Sequence, residues 1–126
     1  MSEGDNVYFS VDNLNLCVSA SSVHSIHDGL NTQREAGTQS WFLGLAVVEG
    51  RLLPVTDLGA FYGKKPSAGR VIEVAHQLGR FGLRVDEVHG VASEMAREYE
   101  TLDIAQLVQS DQFLDIQSSD HACEPA

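Results

Sequence analysis

The stretch WFLGLAVVEGRLLPVTDL, residues 41–58, decides what this chain can fold into. An apolar run reaches Glu49-Gly50, restarts, and stops at Asp57, which is typical of two strands joined by a tight turn. Pro54 lies inside the second strand and has no N–H to donate, so we expect it at a strand edge or a bulge. Asp57 is placed to cap the helical turn LGAFYG by accepting backbone N–H groups.

Two further hairpins are predicted on either side of this one. Residues 6–20 alternate in polarity around Asp12-Asn13, a typical turn pair. Residues 70–88, RVIEVAHQLGRFGLRVDEV, form a third hairpin whose return strand runs toward Val88. Several short strands at close spacing favour a mainly β domain made of barrels or a sandwich.

The remaining segments give weaker patterns. Residues 21–30, SSVHSIHDGL, are interpreted as a short helical or irregular bridge, and residues 30–40 as a polar loop. Near the end, a strand around Leu102 leads into a helical segment from Ala105 to Leu114. No internal repeat is visible in the sequence.

The composition limits the kind of protein this can be. The 126 residues, 43% hydrophobic and 21% charged, suit one domain or two small subdomains around a shared core. We expect that domain to span residues 6–116, between a disordered N-terminus, 1–5, and a disordered tail, 117–126. A formal net charge of −10 repels phosphate backbones and acidic lipids, so nucleic acid is not expected as a partner.

The chain carries no obvious targeting signal. Its longest apolar run, residues 41–48, is far shorter than the roughly 20 residues needed to cross a bilayer. The N-terminal sequence MSEGDN lacks the apolar segment of a secretion signal. Cys17 and Cys123 are interpreted as reduced thiols. These features predict a cytoplasmic protein without membrane insertion.

The sequence offers no catalytic constellation, and no metal or cofactor is expected. His24 and His27 lack a set of further ligands at suitable spacing and are interpreted as solvated. His76 is expected to be semi-buried on its strand, and His89 to occupy a turn without an acid or nucleophile as partner. A nucleophile elbow, a carboxylate pair and a phosphate loop are all missing from the sequence. We therefore expect no enzymatic activity.

The order of these elements resembles that of CheW-like domains, the coupling proteins of bacterial chemotaxis and of type IV pilus (twitching) systems. The family pattern of a strand, a glycine turn and a strand ending Pro-Val-x-Asp-Leu is matched by Gly44, Gly50, Pro54, Val55, Asp57 and Leu58. A later family pattern, Gly-Leu-x-Val-Asp-x-Val, is matched by Gly82, Leu83, Val85, Asp86 and Val88. The resemblance extends over nearly the whole chain.

This resemblance implies both a fold and a role. The implied fold is two intertwined, SH3-like five-stranded barrels with short helices around a shared hydrophobic interface. The implied role is a non-catalytic adaptor between the cytoplasmic tip of a methyl-accepting chemoreceptor and the regulatory domain of a CheA-type histidine kinase. Kinase docking is expected at the barrel end near Gly79 and Phe81. The remaining partner-binding positions implied by the family pattern are Val23, Ser25, Gly44, Glu49, Gly50 and Arg51.

Two departures from the family pattern affect these expectations. Glu49 stands where the family has a receptor-contacting arginine, and Ser25 where it has a glutamate, although Arg51 could partly substitute. Reversing a charge at a contact changes which partner is complementary. In addition, few residues separate Val91 from Leu102, where the family places another strand and a hairpin. One barrel is therefore expected to be truncated, with an open edge for homodimerisation or for a partner's strand.

Two other functions stay open. A divergent CheW-like scaffold could have lost receptor and kinase coupling, and could instead self-associate or bind another regulator. A barrel that holds a small ligand is disfavoured, because the sequence lacks convergent polar groups around an obvious cavity.

Overall fold

The computed structural model describes residues 4–32, 41–76, 79–94, 98–104 and 107. The strands formed by these residues are β1 (Asn6–Val11), β2 (Leu14–Ser19), β3 (Val23–His27), β4 (Phe42–Val48), β5 (Arg51–Asp57), β6 (Val71–His76), β7 (Gly79–Arg84), β8 (Glu87–Ala92) and β9 (Glu100–Thr101). A 3-10 turn at Ala20–Ser22 precedes β3, and helix α1 (Leu58–Phe61) follows β5. Most of the loop predicted at 30–40, namely residues 33–40, lies outside the described residues. So do most of the helix predicted from Ala105 to Leu114 and the tail 117–126.

The first sheet has four strands in the order β8-β1-β2-β9. Its centre is the predicted hairpin, in which Val11 pairs with Leu14 around a turn that holds Asp12 at a φ of 52°. Strand β8 pairs antiparallel with β1. The short β9 runs parallel to β2 and pairs only with Leu16 and Cys17.

The second sheet has five strands in the order β3-β6-β7-β5-β4. The hairpins predicted for β4–β5 and β6–β7 are both confirmed as antiparallel pairs. Strand β5 then runs parallel to β7 over Val55–Asp57, with Val55 opposite Gly82. Strand β4 forms one edge of this sheet and β3 the other, so the β6–β7 hairpin lies between β3 and β5, which both precede it in the chain.

Three details of the sequence interpretation are wrong. The bridge predicted for residues 21–30 is a 3-10 turn followed by strand β3, which pairs with β6 through Ile26 and Ile72. The return strand of the third hairpin ends at Arg84, and β8 begins at Glu87 in the other sheet. His89 lies in β8, with Ser10 and Tyr99 as hydrogen-bond partners, and not in a turn without partners. Each error concerns pairing between segments distant in sequence.

Pro54 lies where its missing N–H costs nothing. In a two-residue hairpin the residues that close the turn, here Val48 and Arg51, form a hydrogen-bonded pair, and the pairs then alternate. By this alternation, Pro54 and Leu45 form a non-hydrogen-bonded pair. The Pro54 nitrogen therefore faces away from β4. On that other side, pairing with β7 begins only at Val55. Pro54 thus occupies the edge-like part of an otherwise interior strand, as predicted.

A single large core joins the two sheets. Phe9 and Val11 from the first sheet pack with Ile72 and Leu83 from the second, and all four side chains are fully buried. A smaller cluster of Ala46, Leu53, Val55 and Val71 lies on the opposite face of the second sheet. The sheets therefore share one hydrophobic layer, and each keeps a second face of its own.

The two sheets repeat one strand arrangement, although the sequence shows no repeat. The neighbours β8, β1, β2 and β9 match β3, β6, β7 and β5 in order and in direction: two antiparallel pairs followed by one parallel pair. Within the described residues, β4 has no counterpart in the first sheet. This agrees with the truncation expected from the short segment between Val91 and Leu102.

Candidate docking site

Three of the predicted partner-binding residues form the tip of the β4–β5 hairpin. Glu49 and Gly50 are the two turn residues, with φ values of 52° and 76°, and both are exposed. Two consecutive positive φ angles are the mark of a tight turn whose twist matches the strands. Arg51, the first residue of β5, is also exposed. The structure therefore presents one acidic and one basic side chain side by side at this tip.

The other predicted residues differ in exposure, and Ser25 is half-buried in β3. Val23 is 8% exposed and belongs to the shared core, and Gly44 is buried with a φ of 114° beside a bulge in β4. Phe81, suggested for kinase docking, is also buried, whereas Gly79 is exposed at the start of β7. Val23, Gly44 and Phe81 are thus placed to support a surface from beneath.

A groove of about 330 Å³ runs between the tip of the β4–β5 hairpin and the end of the β6–β7 hairpin. Both hairpins contribute charged and apolar residues to its lining: Val48, Glu49, Arg51, Leu52, Leu53, Glu73, Ala75, His76, Gly79 and Arg80. The structure therefore brings Glu49 and Arg51 together with Gly79, although thirty residues of chain separate them. Sequence reasoning had assigned these positions to two separate contacts.

Glu73 is the polar centre of this groove, and the sequence interpretation missed it. Its side chain is only 3% exposed, and it binds three partners on two neighbouring strands. His27 Nε2 lies 2.7 Å from Glu73 Oε1, and the Ser25 hydroxyl donates to the same oxygen at 3.2 Å. Arg80 Nη1 donates to Oε2 at 3.4 Å. His27, predicted to be solvated, is instead a structural partner of a buried acid.

This network also gives Ser25 a role. Ser25 faces Glu73 across the β3–β6 pair, so a carboxylate stands directly opposite the position where the family pattern has glutamate. Through Glu73, Ser25 is connected to Arg80 at the groove. One sequence feature could have revealed this network: Glu73 is a single acid inside the apolar run VIEVA of a predicted strand. An acid at such a position usually needs a partner.

The surroundings of Glu73 favour its charged form. Burial removes water and so opposes ionisation, but the hydrogen bonds with His27 and Ser25 and the nearby charges of His24 and His27 outweigh that effect. The pKa of Glu73 is therefore lower than that of an ordinary glutamate. Arg80 and His27 are held in place by this anion, which fixes the position of the Arg80 guanidinium at the groove.

Replacing Glu73 with glutamine should lower the free energy of unfolding by about 1–2 kcal/mol at pH 7, since the charge-assisted bonds become neutral ones. A folded pKa below the unfolded value of about 4.3 stabilises the fold above that pH, and this contribution is lost as pH falls through the folded pKa. The wild type should therefore lose stability below about pH 4.3 more steeply than Glu73→Gln. Urea unfolding at several pH values measures this. Glu49→Gln, at an exposed position, serves as the control and should leave the free energy of unfolding at pH 7 within about 0.5 kcal/mol of the wild type.

Two large apolar side chains are exposed beside the groove. Val47 and Leu52 face each other across the β4–β5 hairpin and are 70% and 66% exposed. Side chains at such a non-hydrogen-bonded pair lie close together and form one small apolar patch. An apolar patch flanked by charged residues is a common mark of a protein-binding surface. The hairpin tip thus combines apolar anchors with Glu49 and Arg51.

In the described part of the chain, no three His, Cys, Asp or Glu side chains are grouped so as to hold a metal ion. The same residues contain no helix that is long and apolar enough to cross a membrane. The site consists of a groove, an apolar pair and a buried anion, and it suits the binding of another macromolecule.

Two β-sheets on one core, with an exposed hairpin at the end of the second, are the architecture of a CheW-type domain. The chain belongs to the CheW-like domain family, which matches residues 5–112. Members of this family are non-catalytic scaffold proteins of chemotaxis-type signalling.

Two individual proteins are similar to this chain over part of its length. The chain is similar to the protein PilI of Pseudomonas aeruginosa (strain PAO1), with 41% identity over 70 residues that cover 52% of this chain and 39% of PilI. It is also similar to the crystal structure of the scaffolding protein TtCheW from Thermoanaerobacter tengcongensis, with a TM-score of 0.65 and 26% identity. That match covers 72% of this chain and 64% of TtCheW. The chain thus spans less than two thirds of the length of either relative.

Proposed function

We propose that this chain couples a chemoreceptor to a CheA-type histidine kinase as a non-catalytic scaffold in the cytoplasm. Membership of the CheW-like family supports the role of a scaffold. The similarity to PilI supports the type IV pilus branch of these systems. The partners are the cytoplasmic tip of a methyl-accepting receptor and the regulatory domain of the kinase.

The observation that carries this proposal is the exposed apolar pair of Val47 and Leu52 at the rim of the groove. A monomeric protein gains nothing from leaving two large apolar side chains mostly in water, whereas a partner that covers them gains the energy of burying apolar surface. The groove beside them supplies polar groups that fix orientation, with Arg80 held by Glu73. Apolar anchors with a polar rim suit reversible docking.

The charges at the tip provide specificity. Glu49 and Arg51 are both exposed, and the backbone of Glu49 is held in the left-handed region by the turn. A partner must therefore present a positive group opposite residue 49, where a receptor matched to the family's arginine would present a negative one. Because like charges at a contact oppose binding, this chain selects a receptor different from that of typical family members.

Binding to the purified kinase regulatory domain and to a receptor-tip fragment, measured by calorimetry, tests the proposal. Leu52→Ser should weaken binding of at least one partner about tenfold, because it removes an exposed anchor. Glu49→Arg should weaken binding of the cognate receptor by a similar factor, because it reverses the complementary charge. Val91→Ser, which changes an exposed apolar residue on the first sheet, is the matched control and should bind as the wild type does.

The alternative is a CheW-like scaffold that no longer binds receptor or kinase and self-associates. The observation that favours it is the first sheet, which lacks a counterpart of β4 among the described residues and so leaves an edge for a second copy. If neither partner binds at micromolar concentration while the protein elutes as a dimer, this alternative replaces the coupling role. Binding of either partner by a monomer supports the coupling role.

A further inference from the structure

The face of the first sheet opposite the shared core is buried, although the described residues contain no counterpart of β4 beside it. Tyr8, Ser10 and Cys17 point away from the shared core, yet they are only 5%, 9% and 7% exposed. In the second sheet the corresponding face is covered partly by Ala46 of β4. Another segment of the chain must therefore cover these side chains in the first sheet.

Among the described residues, this cover comes from residues 98–101. The ring of Tyr99 packs edge-on against the ring of Tyr8, with their centroids 4.7 Å apart. The Tyr99 hydroxyl lies 2.6 Å from Nδ1 of His89, and Nε2 of the same imidazole lies 3.2 Å from the Ser10 hydroxyl. Tyr99 thus connects β8 and β1 across the face opposite the shared core.

A bulge in β8 makes this connection possible. Tyr8 pairs with Gly90 and Phe9 with Val88, so His89 is the extra residue between two ladder positions. A bulge residue is released from the alternation of the strand and can direct its side chain to the other face. This places the His89 imidazole between Ser10 and Tyr99.

The same segment covers the edge of β2. Glu100 and Thr101 pair with Leu16 and Cys17, and the N–H of Leu102 donates to the Cys17 carbonyl at 2.7 Å. The Thr101 hydroxyl lies 3.8 Å from the Cys17 sulfur. Both strand residues of this segment are exposed, so the segment has buried contacts on one side only.

We propose that residues 98–101 form a strap, latched by Tyr99 on His89, that covers the face of the first sheet opposite the shared core and opens independently of the rest of the fold, with the buried Leu102 as its fixed end. While the latch is closed, the first sheet needs no second chain to cover the face opposite the shared core. When it opens, the edge of β2 and the side chain of Cys17 become accessible. Residues 98–101 are a natural site of local opening, because they are held by the pairing of Glu100 and Thr101 with β2 and by the contacts of Tyr99, whereas Leu102 is anchored in the shared core.

The reactivity of Cys17 reports strap opening. The chain has two cysteines, so Cys123→Ser leaves Cys17 as the single thiol. In that background we measure the rate of reaction with a disulfide reagent such as DTNB under native conditions. Tyr99→Ala removes the ring contact and the hydrogen bond and should raise the rate about 30-fold, whereas Tyr99→Phe keeps the ring and should raise it about fivefold.

The matched control is Val71→Ala, which weakens the small core of the second sheet and leaves the strap untouched. Its Cys17 rate should follow only its loss of global stability, as measured by urea unfolding. Rates for the Tyr99 variants equal to the wild-type rate would overturn the proposal, as would rises fully accounted for by global unfolding. This test involves neither receptor nor kinase, so its result is separate from that of the coupling role.

Discussion

Asp57→Ala is expected to lower the free energy of unfolding by about 2–4 kcal/mol, because it leaves one buried and one half-buried N–H group without an acceptor. Asp57 is 3% exposed, and its Oδ1 accepts from the N–H of Ala60 at 3.1 Å and from that of Ser67 at 2.9 Å. The first bond caps helix α1, and the second fastens the loop that leads to β6. One carboxylate oxygen therefore holds two segments. Urea unfolding monitored by fluorescence measures the loss.

Asp57→Asn is the matched control for this prediction. The amide oxygen can accept both hydrogen bonds, so we expect it to retain more than half of the stability lost in Asp57→Ala. An alanine variant as stable as the wild type would show that the cap and the loop fastening contribute nothing. Equal losses in the two variants would show that the negative charge matters more than the acceptor geometry.

Gly69→Ala is expected to lower the free energy of unfolding by about 3 kcal/mol, because the added methyl has no space. A Cβ at this position would lie 2.1 Å from the carbonyl oxygen of Asp86 and 2.6 Å from that of Val85. Both obstacles are backbone atoms, and the Gly69 N–H also donates to the Val85 carbonyl at 2.8 Å. The substitution must therefore separate the entry of β6 from the segment between β7 and β8.

The neighbouring substitution Ala68→Ser tests whether position explains this effect. Ala68 is exposed, so a hydroxyl there meets water, and the change in stability should stay within about 0.5 kcal/mol. Thermal and urea unfolding of both variants give the comparison. A Gly69→Ala protein with wild-type stability would mean that the two backbone segments can separate at little cost.

The hairpins could be predicted from the sequence because each one depends on residues that are close together in the chain. The β4–β5 pair follows from two apolar runs around Glu49-Gly50, and the cap at Asp57 follows from one acid before a helical turn. The resemblance to CheW-like domains then indicated the two-part β architecture. Strand β3 could not be assigned in the same way, because it is stabilised by pairing with β6, about fifty residues later in the chain.

The candidate site was predictable only in part, for the same reason. The exposed tip at Glu49 and Arg51 follows from the hairpin alone. The groove does not, since Glu73 receives its partners from β3 and β7, and only the folded sheet brings Ser25, His27 and Arg80 around it. His89 was misread because a bulge, which leaves no clear mark in the sequence, redirects its side chain.

The shared strand order of the two sheets has a consequence for how this chain can be varied. Since β8-β1-β2-β9 matches β3-β6-β7-β5, the part of the chain that the structure describes is equivalent to a tandem duplication with one excision, located between β8 and β9. The excised piece corresponds to a single hairpin arm, and no other strand changes its neighbour. A grafted arm of the length of β4, inserted before β9, would restore the symmetry of the two halves without rerouting the chain.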